Sequence, residues 1–262
     1  LFFVFIWNRG VAGVAMGTLV AQYAGLLMAS LLWYGYYRRL WQKLNWQMLT
    51  DYEAMRSFFI LNRDIFFRTL CLVAVTTYFT SRGAEQGDII LAVNTLMMQL
   101  FTLYSYIMDG FAYAGEALTG RYVGAHNQAD LRRMIRTLFA WGIGLALAFT
   151  LLYGIGGSSF LGLLTNEQEV LNASSDYFYW VLAIPLAGMA AFLWDGIYIG
   201  ATASRQMLYS MLVASVSFFI LQGIFQQQMG NHALWMAFIA YLFLRGLVQT
   251  GLARKILLKS ER

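Results

Sequence analysis

The sequence predicts an all-α polytopic membrane protein of seven spans preceded by the tail of a further helix. Three observations predict it. Hydrophobic residues make up 60% of the chain and charged residues only 12%, with a mean hydropathy of +0.57. Soluble domains carry about 25% charged residues, and a soluble core does not need that imbalance. The apolar residues gather into seven stretches, each matching or exceeding the roughly 20 residues of helix that cross a hydrocarbon core. The loops between them are alternately rich and poor in Lys and Arg, the pattern that sets orientation in a bilayer.

The chain opens Leu1-Phe2-Phe3, and residues 1–7 read as the tail of a helix, so the chain is expected to be the C-terminal portion of a longer protein. The first span, about Val11–Tyr37, ends near Trp33-Tyr34, an aromatic pair suited to a membrane interface. The others are expected at roughly Ala54–Ser81, Ile89–Leu118, Met134–Ile155, Tyr177–Ser204, Leu208–Gln228 and Ala233–Leu252. Met55–Asn62 is the least regular part and could form a separate interfacial helix. Pro185 lies inside the fifth span, where it frees a carbonyl and kinks the helix. Gly154–Gly157 with Ser158-Ser159 is glycine-rich but lacks a phosphate-loop lysine, and reads as a turn.

The basic residues fall after the first span (Arg38, Arg39, Lys43, Arg56), after the third (Arg121, Arg132, Arg133, Arg136) and at the end (Arg254, Lys255, Lys259, Arg262), with a lone Arg205 after the fifth. The loop after the fourth carries Glu167, Glu169 and Asp176 and no basic residue. The C-terminus is therefore expected to be cytoplasmic. Because the positive charges sit in short loops rather than on one continuous face, they do not indicate nucleic-acid binding. The single Cys71 and the widely separated His126 and His232 provide neither a disulfide framework nor a metal site. With no nucleophile, phosphate loop or metal cluster, the reading is not an enzyme.

Charge within the apolar spans carries the functional signal, because an intramembrane ionisable group is expensive and faces the protein interior or a water-filled cavity. At about 1.5 Å of rise per residue, Asp109 lies about 18 Å from Arg121 and Asp195 about 15 Å from Arg205. Asp64, Arg68 and Arg245 come out at about 12, 18 and 14 Å from their nearest basic loop markers. Four helices thus place an ionisable group in one layer. Two roles fit. In one, Asp109 and Asp195 take up and release a proton or bind a cation in step with a conformational change. In the other, Asp64 and Asp109 pair with Arg63, Arg68 or Arg245 and simply hold helices together. Asn94 and Tyr106 are candidates to line a cavity, as are Tyr113 and Tyr198. The last two belong to a short similarity between Asp109-Gly110-Phe111-Ala112-Tyr113-Ala114-Gly115 and Asp195-Gly196-Ile197-Tyr198-Ile199-Gly200. Such traces are left by transporter repeats.

Asn62-Arg63-Asp64-Ile65, Met108-Asp109-Gly110-Phe111-Ala112-Tyr113-Ala114 and Gly230-Asn231-His232-Ala233-Leu234-Trp235 together resemble the multidrug and toxic compound extrusion (MATE) family, DinF type. Glu116-Ala117-Leu118-Thr119-Gly120-Arg121-Tyr122-Val123-Gly124-Ala125, followed by Asp130-Leu131-Arg132-Arg133, is similar to that family's cytoplasmic turn after a lobe's second helix. The resemblance implies two six-helix lobes around a central cleft. Residues 1–50 would then be the end of the N-terminal lobe (tail of the fifth helix, sixth helix and interlobe loop), and residues 51–262 the C-terminal six-helix transporter lobe. It implies a multi-pass antiporter of the inner or plasma membrane, monomeric, exporting small lipophilic or cationic compounds. No cofactor is implied beyond a coupling ion, H+ or Na+. Its partners would be the lipid bilayer and an N-terminal lobe outside this chain. In sodium-coupled relatives an acid on a later helix of this lobe contributes to the cation site, and Asp195 is the nearest match. Their partner Glu on the lobe's first helix has no match here. Asp64 and Arg68 occupy that helix, with Arg68 as a modulator. The proton-linked acids of DinF-type relatives lie in the first lobe. A lipid or polyprenyl-linked flippase of the same superfamily, and a non-transporting membrane scaffold, are the alternative readings.

Overall fold

In the computed structural model of the protein, the described residues are 10–37 and 51–253. The expected helix tail at residues 1–7, the basic cluster Arg38, Arg39 and Lys43, and the closing Arg254, Lys255, Lys259 and Arg262 lie outside them. The chain divides into two compact units, Leu1–Met55 and Arg56–Arg262. In the first, α1 (Gly10–Tyr37) is an apolar 28-residue helix with exposed side chains along most of its length.

Among the described residues seven further helices follow: α2 (Tyr52–Glu85), α3 (Asp88–Gly124), α4 (Gln128–Leu164), α5 (Gln168–Ser175), α6 (Phe178–Gly200), α7 (Ser204–Met229) and α8 (Asn231–Leu252). Among the described residues, six helices are long and apolar enough to cross a membrane: α1, α3, α4, α6, α7 and α8. The protein is an all-α, multi-pass membrane protein. α2 is long enough, but Arg63, Asp64 and Arg68 interrupt its apolar sequence. It is also continuous from Tyr52, so Met55–Asn62 is its first part and not a separate helix.

Local chemistry explains most boundaries. Gly87 precedes α3 with φ 105°, a conformation open chiefly to glycine. Asn127 caps α4, its Oδ1 accepting from the Asp130 backbone N–H at 3.1 Å. A single glycine, Gly230 (φ 53°), joins α7 to α8. The glycine-rich stretch expected to be a turn is a kink: α4 breaks at Gly157 (φ 25°, ψ −116°) and resumes to Leu164.

α6 lies against α3, α4 and α8, and its second half, Ala191–Tyr198, is buried throughout. The α3–α6 seam depends on the absence of side chains. A Cβ on Gly196 would fall 2.0 Å from the Ala112 carbonyl oxygen, and one on Gly200 2.3 Å from that of Glu116. Backbones therefore touch at i, i+4 spacing on both helices, the close approach by which helices associate where water provides no driving force. Elsewhere aromatic edges join the helices. Phe79 of α2 meets Trp235 of α8 at 5.0 Å between ring centres, Phe238 meets Phe101 of α3 at 5.2 Å, and Tyr104 meets Phe149 of α4 at 5.4 Å. Tyrosine hydroxyls add bonds to backbone carbonyls across the same seams: Tyr153 to Leu100 at 2.7 Å and Tyr104 to Pro185 at 3.0 Å.

The turns after α3 and α6 are built alike. Asn127 N–H bonds to the Tyr122 carbonyl at 2.9 Å, and Ala203 N–H to that of Tyr198 at 2.8 Å. His126 and Thr202 both take φ 53° between them. This aligns Gly120-Arg121-Tyr122-Val123-Gly124-Ala125 with Gly196-Ile197-Tyr198-Ile199-Gly200-Ala201. In the register of these turns the position matching Asp195 is Thr119, whereas the Asp-Gly similarity sets Asp195 against Asp109.

Candidate functional site

Three helices bring charge together at Asp195. α6 places its carboxylate near the middle of its buried half, α2 supplies Arg68, and α8 supplies Arg245 and, one turn on, Gln249. Oδ2 of Asp195 accepts from Nη2 of both arginines, with Arg68 as the closer partner and Arg245 at 3.3 Å. Oδ1 accepts from Gln249 Nε2 at 2.7 Å. The side chains of Arg245, Asp195 and Arg68 are 5%, 11% and 18% exposed. The cluster is thus closed on the α8 side and opens slightly past Arg68. The Arg245 guanidinium lies over the rings of Phe192 (5.5 Å) and Tyr241 (6.0 Å), which favours a cation in a dry setting. α8 is fixed in register by Tyr198, whose hydroxyl donates to the Gln249 carbonyl at 2.7 Å, and by Trp194, whose indole donates to Thr250 at 2.8 Å.

Asp64, one turn before Arg68 on α2, belongs to a separate contact. Its Oδ1 accepts from Arg63 at 3.0 Å and its Oδ2 from the Ser204 hydroxyl at 3.1 Å, which ties α2 to the first residue of α7. Asp109 is half-buried on α3 between the exposed Tyr106 and Tyr113. It lies within electrostatic reach of Asp195, Arg245 and Arg68. Among the described residues, however, none forms a hydrogen bond or ion pair with it. The arginines named as its possible partners are committed elsewhere, Arg63 to Asp64 and the other two to Asp195.

Two of the cavity candidates have other roles in this structure. Asn94 is buried in a reciprocal amide pair with Asn231 (2.8 and 2.9 Å) and also accepts from the Trp235 indole at 2.8 Å. It holds α3 to α8 at the end away from Asp195. Tyr198 is fully buried against α8. Sequence reasoning passed over Gln249 and Ser204. The signal for Gln249 was available: it lies four residues after Arg245 in an apolar helix, hence on the same face. Among the described residues no group of three or more His, Cys, Asp or Glu is placed to hold a metal ion.

A bundle of membrane-spanning helices with a buried, multi-helix ion cluster defines a class of polytopic membrane proteins with a polar site at depth. Within that class the chain belongs to the MatE family, whose model matches residues 65–224. MatE is a family of transporters. DNA damage-inducible protein F of Escherichia coli (strain K12) is 35% identical over 252 residues, 95% of this chain and 54% of that protein. Protein DETOXIFICATION 45, chloroplastic, of Arabidopsis thaliana is 25% identical over 211 residues, 80% of this chain and 37% of that protein. The chain therefore spans about half the length of these relatives, or less. The fold is similar to the crystal structure of the Vibrio cholerae MATE transporter VcmN in the bent form. That match has a TM-score of 0.80 at 16% identity, over 99% of this chain and 59% of that one.

Proposed function

We propose that the chain is the C-terminal part of a cation-coupled multidrug efflux antiporter that works by alternating access. Residues 51–262 would form one six-helix lobe, and residues 1–50 the end of the other. The observation that carries this reading is the charge cluster. Membrane helices bury charges at a high cost, and four ionisable groups, Arg68, Asp109, Asp195 and Arg245, are kept within reach of one another at depth. Membership of the MatE family supports the transport class, and the names of the relatives support efflux of toxic compounds as its purpose.

The two acids have different settings, and so different roles. Asp195 is neutralised by arginines, and its partners come from three helices. A change in its pairing would be felt by α2, α6 and α8 together. Among the described residues Asp109 has no counter-ion in contact, and it lies half-open between Tyr106 and Tyr113. It is the group suited to exchange a proton or sodium ion with the cleft. Export of small lipophilic or cationic compounds would follow from aromatic surfaces next to these carboxylates. The setting would be the inner or plasma membrane, with the C-terminus cytoplasmic by the distribution of Lys and Arg.

The test is toxic-cation efflux by the full-length protein carrying Asp109→Asn or Asp195→Asn. Each change should reduce efflux while the protein still reaches the membrane. Wild-type efflux in both would remove these carboxylates from the mechanism. A second reading, a lipid or polyprenyl-linked flippase, draws on the two arginines, which are suited to meet a phosphate.

A further inference from the structure

The cluster around Asp195 is unbalanced in two independent ways. The first is charge. Two guanidinium groups share one carboxylate in direct contact, so the triad carries a formal charge of +1. Arg245 is 95% buried by its side-chain exposure of 5%. An uncompensated charge at that depth is costly, and the remaining carboxylate, Asp109, acts only from a distance.

The second imbalance is in hydrogen bonding. Both arginines direct one Nη to the same Oδ2 of Asp195. The Nε of Arg68 and the Nε of Arg245 are buried without an acceptor. Gln249 uses its N–H on Asp195, and its Oε1 also lacks a partner. Two strong cationic donors thus go unused against one neutral acceptor. A guanidinium offers a planar fork of donors that matches the paired oxygens of a carboxylate or phosphate. A cation at Asp195 would meet the reverse arrangement, with two arginines already on that carboxylate.

The surroundings specify the rest of the ligand. Phe192 and Tyr241 pack on Arg245, so the side of the site next to that guanidinium is apolar.

We propose that Arg68 and Arg245 form a receptor for a single oxyanion, a carboxylate or phosphate group on an apolar body, and that Asp195 is its tethered occupant until that group arrives. The inference rests on reading the lobe as part of a transporter, and it adds an anionic or zwitterionic substrate class to that reading. On binding, the incoming oxyanion takes the guanidinium donors and brings the triad to neutrality. Asp195 is released to rearrange with α6.

The test uses the full-length protein in detergent, with 2-naphthoate as probe and the neutral 2-naphthamide as its isostere. Calorimetry should find naphthoate at least about tenfold tighter, the order expected for a charge-assisted hydrogen bond. Arg68→Gln and Arg245→Gln should each remove that preference. Asp195→Asn preserves the shape and removes the competing charge, so it should tighten naphthoate binding about tenfold; this arm does not depend on the arginine variants folding. Equal binding of naphthoate and naphthamide, or no tightening in Asp195→Asn, overturns the proposal. Displacement of naphthoate by added phosphatidylglycerol supports the site and assigns its oxyanion to a lipid headgroup. Failure to displace assigns it to a small carboxylate. Efflux of a toxic cation is measured separately. Naphthoate binding without efflux would contradict the proposed function and leave the receptor standing, and efflux without naphthoate binding would do the opposite.

Discussion

Replacing Gly196 by alanine should separate two helices that the fold requires to touch. The added Cβ would lie 2.0 Å from the Ala112 carbonyl oxygen, 2.6 Å from its carbon and 2.9 Å from its Cα. Ordinary contact begins near 3.4 Å, so α3 would have to retreat by about 1.4 Å. The obstacle is backbone, which cannot rotate away as a side chain can. Overpacking of this kind costs about 1–3 kcal/mol, against which alanine recovers up to about 1 kcal/mol of helix propensity. The loss should be near the upper end of that range, because the same retreat opens the seam at Gly200, where the Glu116 oxygen lies 2.3 Å from an added Cβ. Gly110→Ala and Gly223→Ala are the controls, since nothing lies within 4 Å of a Cβ at either position. Thermal unfolding in detergent should show the controls unchanged or slightly stabilised and Gly196→Ala destabilised by about 2 kcal/mol. The double variant Gly196→Ala/Gly200→Ala should lose less than the sum, because one displacement relieves both clashes. If Gly196→Ala melts with the controls, the backbone contact between α3 and α6 is wrong.

Two further changes probe the polar contacts. Asn94→Leu removes the acceptor of both the Asn231 amide and the Trp235 indole, and should cost about 1–3 kcal/mol in thermal unfolding. Adding Asn231→Leu should cost little more, since the partner left unpaired is then also gone. Ser204→Ala should destabilise by about 1.5–3 kcal/mol, because the buried Asp64 carboxylate loses its α7 donor. Arg63→Gln should matter less in the same assay, with Arg63 54% exposed and exposed ion pairs contributing about 0–1 kcal/mol.

Much of the fold is legible because membrane helices announce themselves by length and apolarity. The seven expected stretches correspond to seven long helices whose centres match. Tyr37 of α1 and Leu252 of α8 end as expected, but α3 and α4 run past the apolar segments into polar turns, α4 starting at its Asn127 cap and continuing through the Gly157 kink to Leu164. α5 was not expected, because Gln168–Ser175 is short and polar and its position depends on packing against α3. α2 shows the opposite problem. Its charges break the apolar signal even though the helix is continuous, since Asp64 and Arg68 find partners on other helices.

At the candidate site, rise per residue puts Arg68, Asp195 and Arg245 at comparable depth, and the structure brings these three together. Depth says nothing about direction, however. Asp109 shares the depth but lies on a different face of α3, and Asp64 turns toward Ser204 instead. The Asp109-Gly110 and Asp195-Gly196 similarity and the two turns set the helices in different registers. Asp-Gly recurs as a dipeptide, whereas the structural repeat is the Gly-x-Tyr-x-Gly-Ala turn that Gly120 and Gly196 begin. Only the hydrogen bonds of the two turns distinguish these registers.

The proposed antiport requires that export by this lobe's protein be coupled to an ion. It is tested most directly in liposomes containing the full-length protein, with a toxic cation added on one side and proton and sodium followed on the other. One of these ions should move against the substrate, and Asp109→Asn should abolish the exchange. Substrate movement with neither ion moving, or an undiminished exchange in Asp109→Asn, would contradict it.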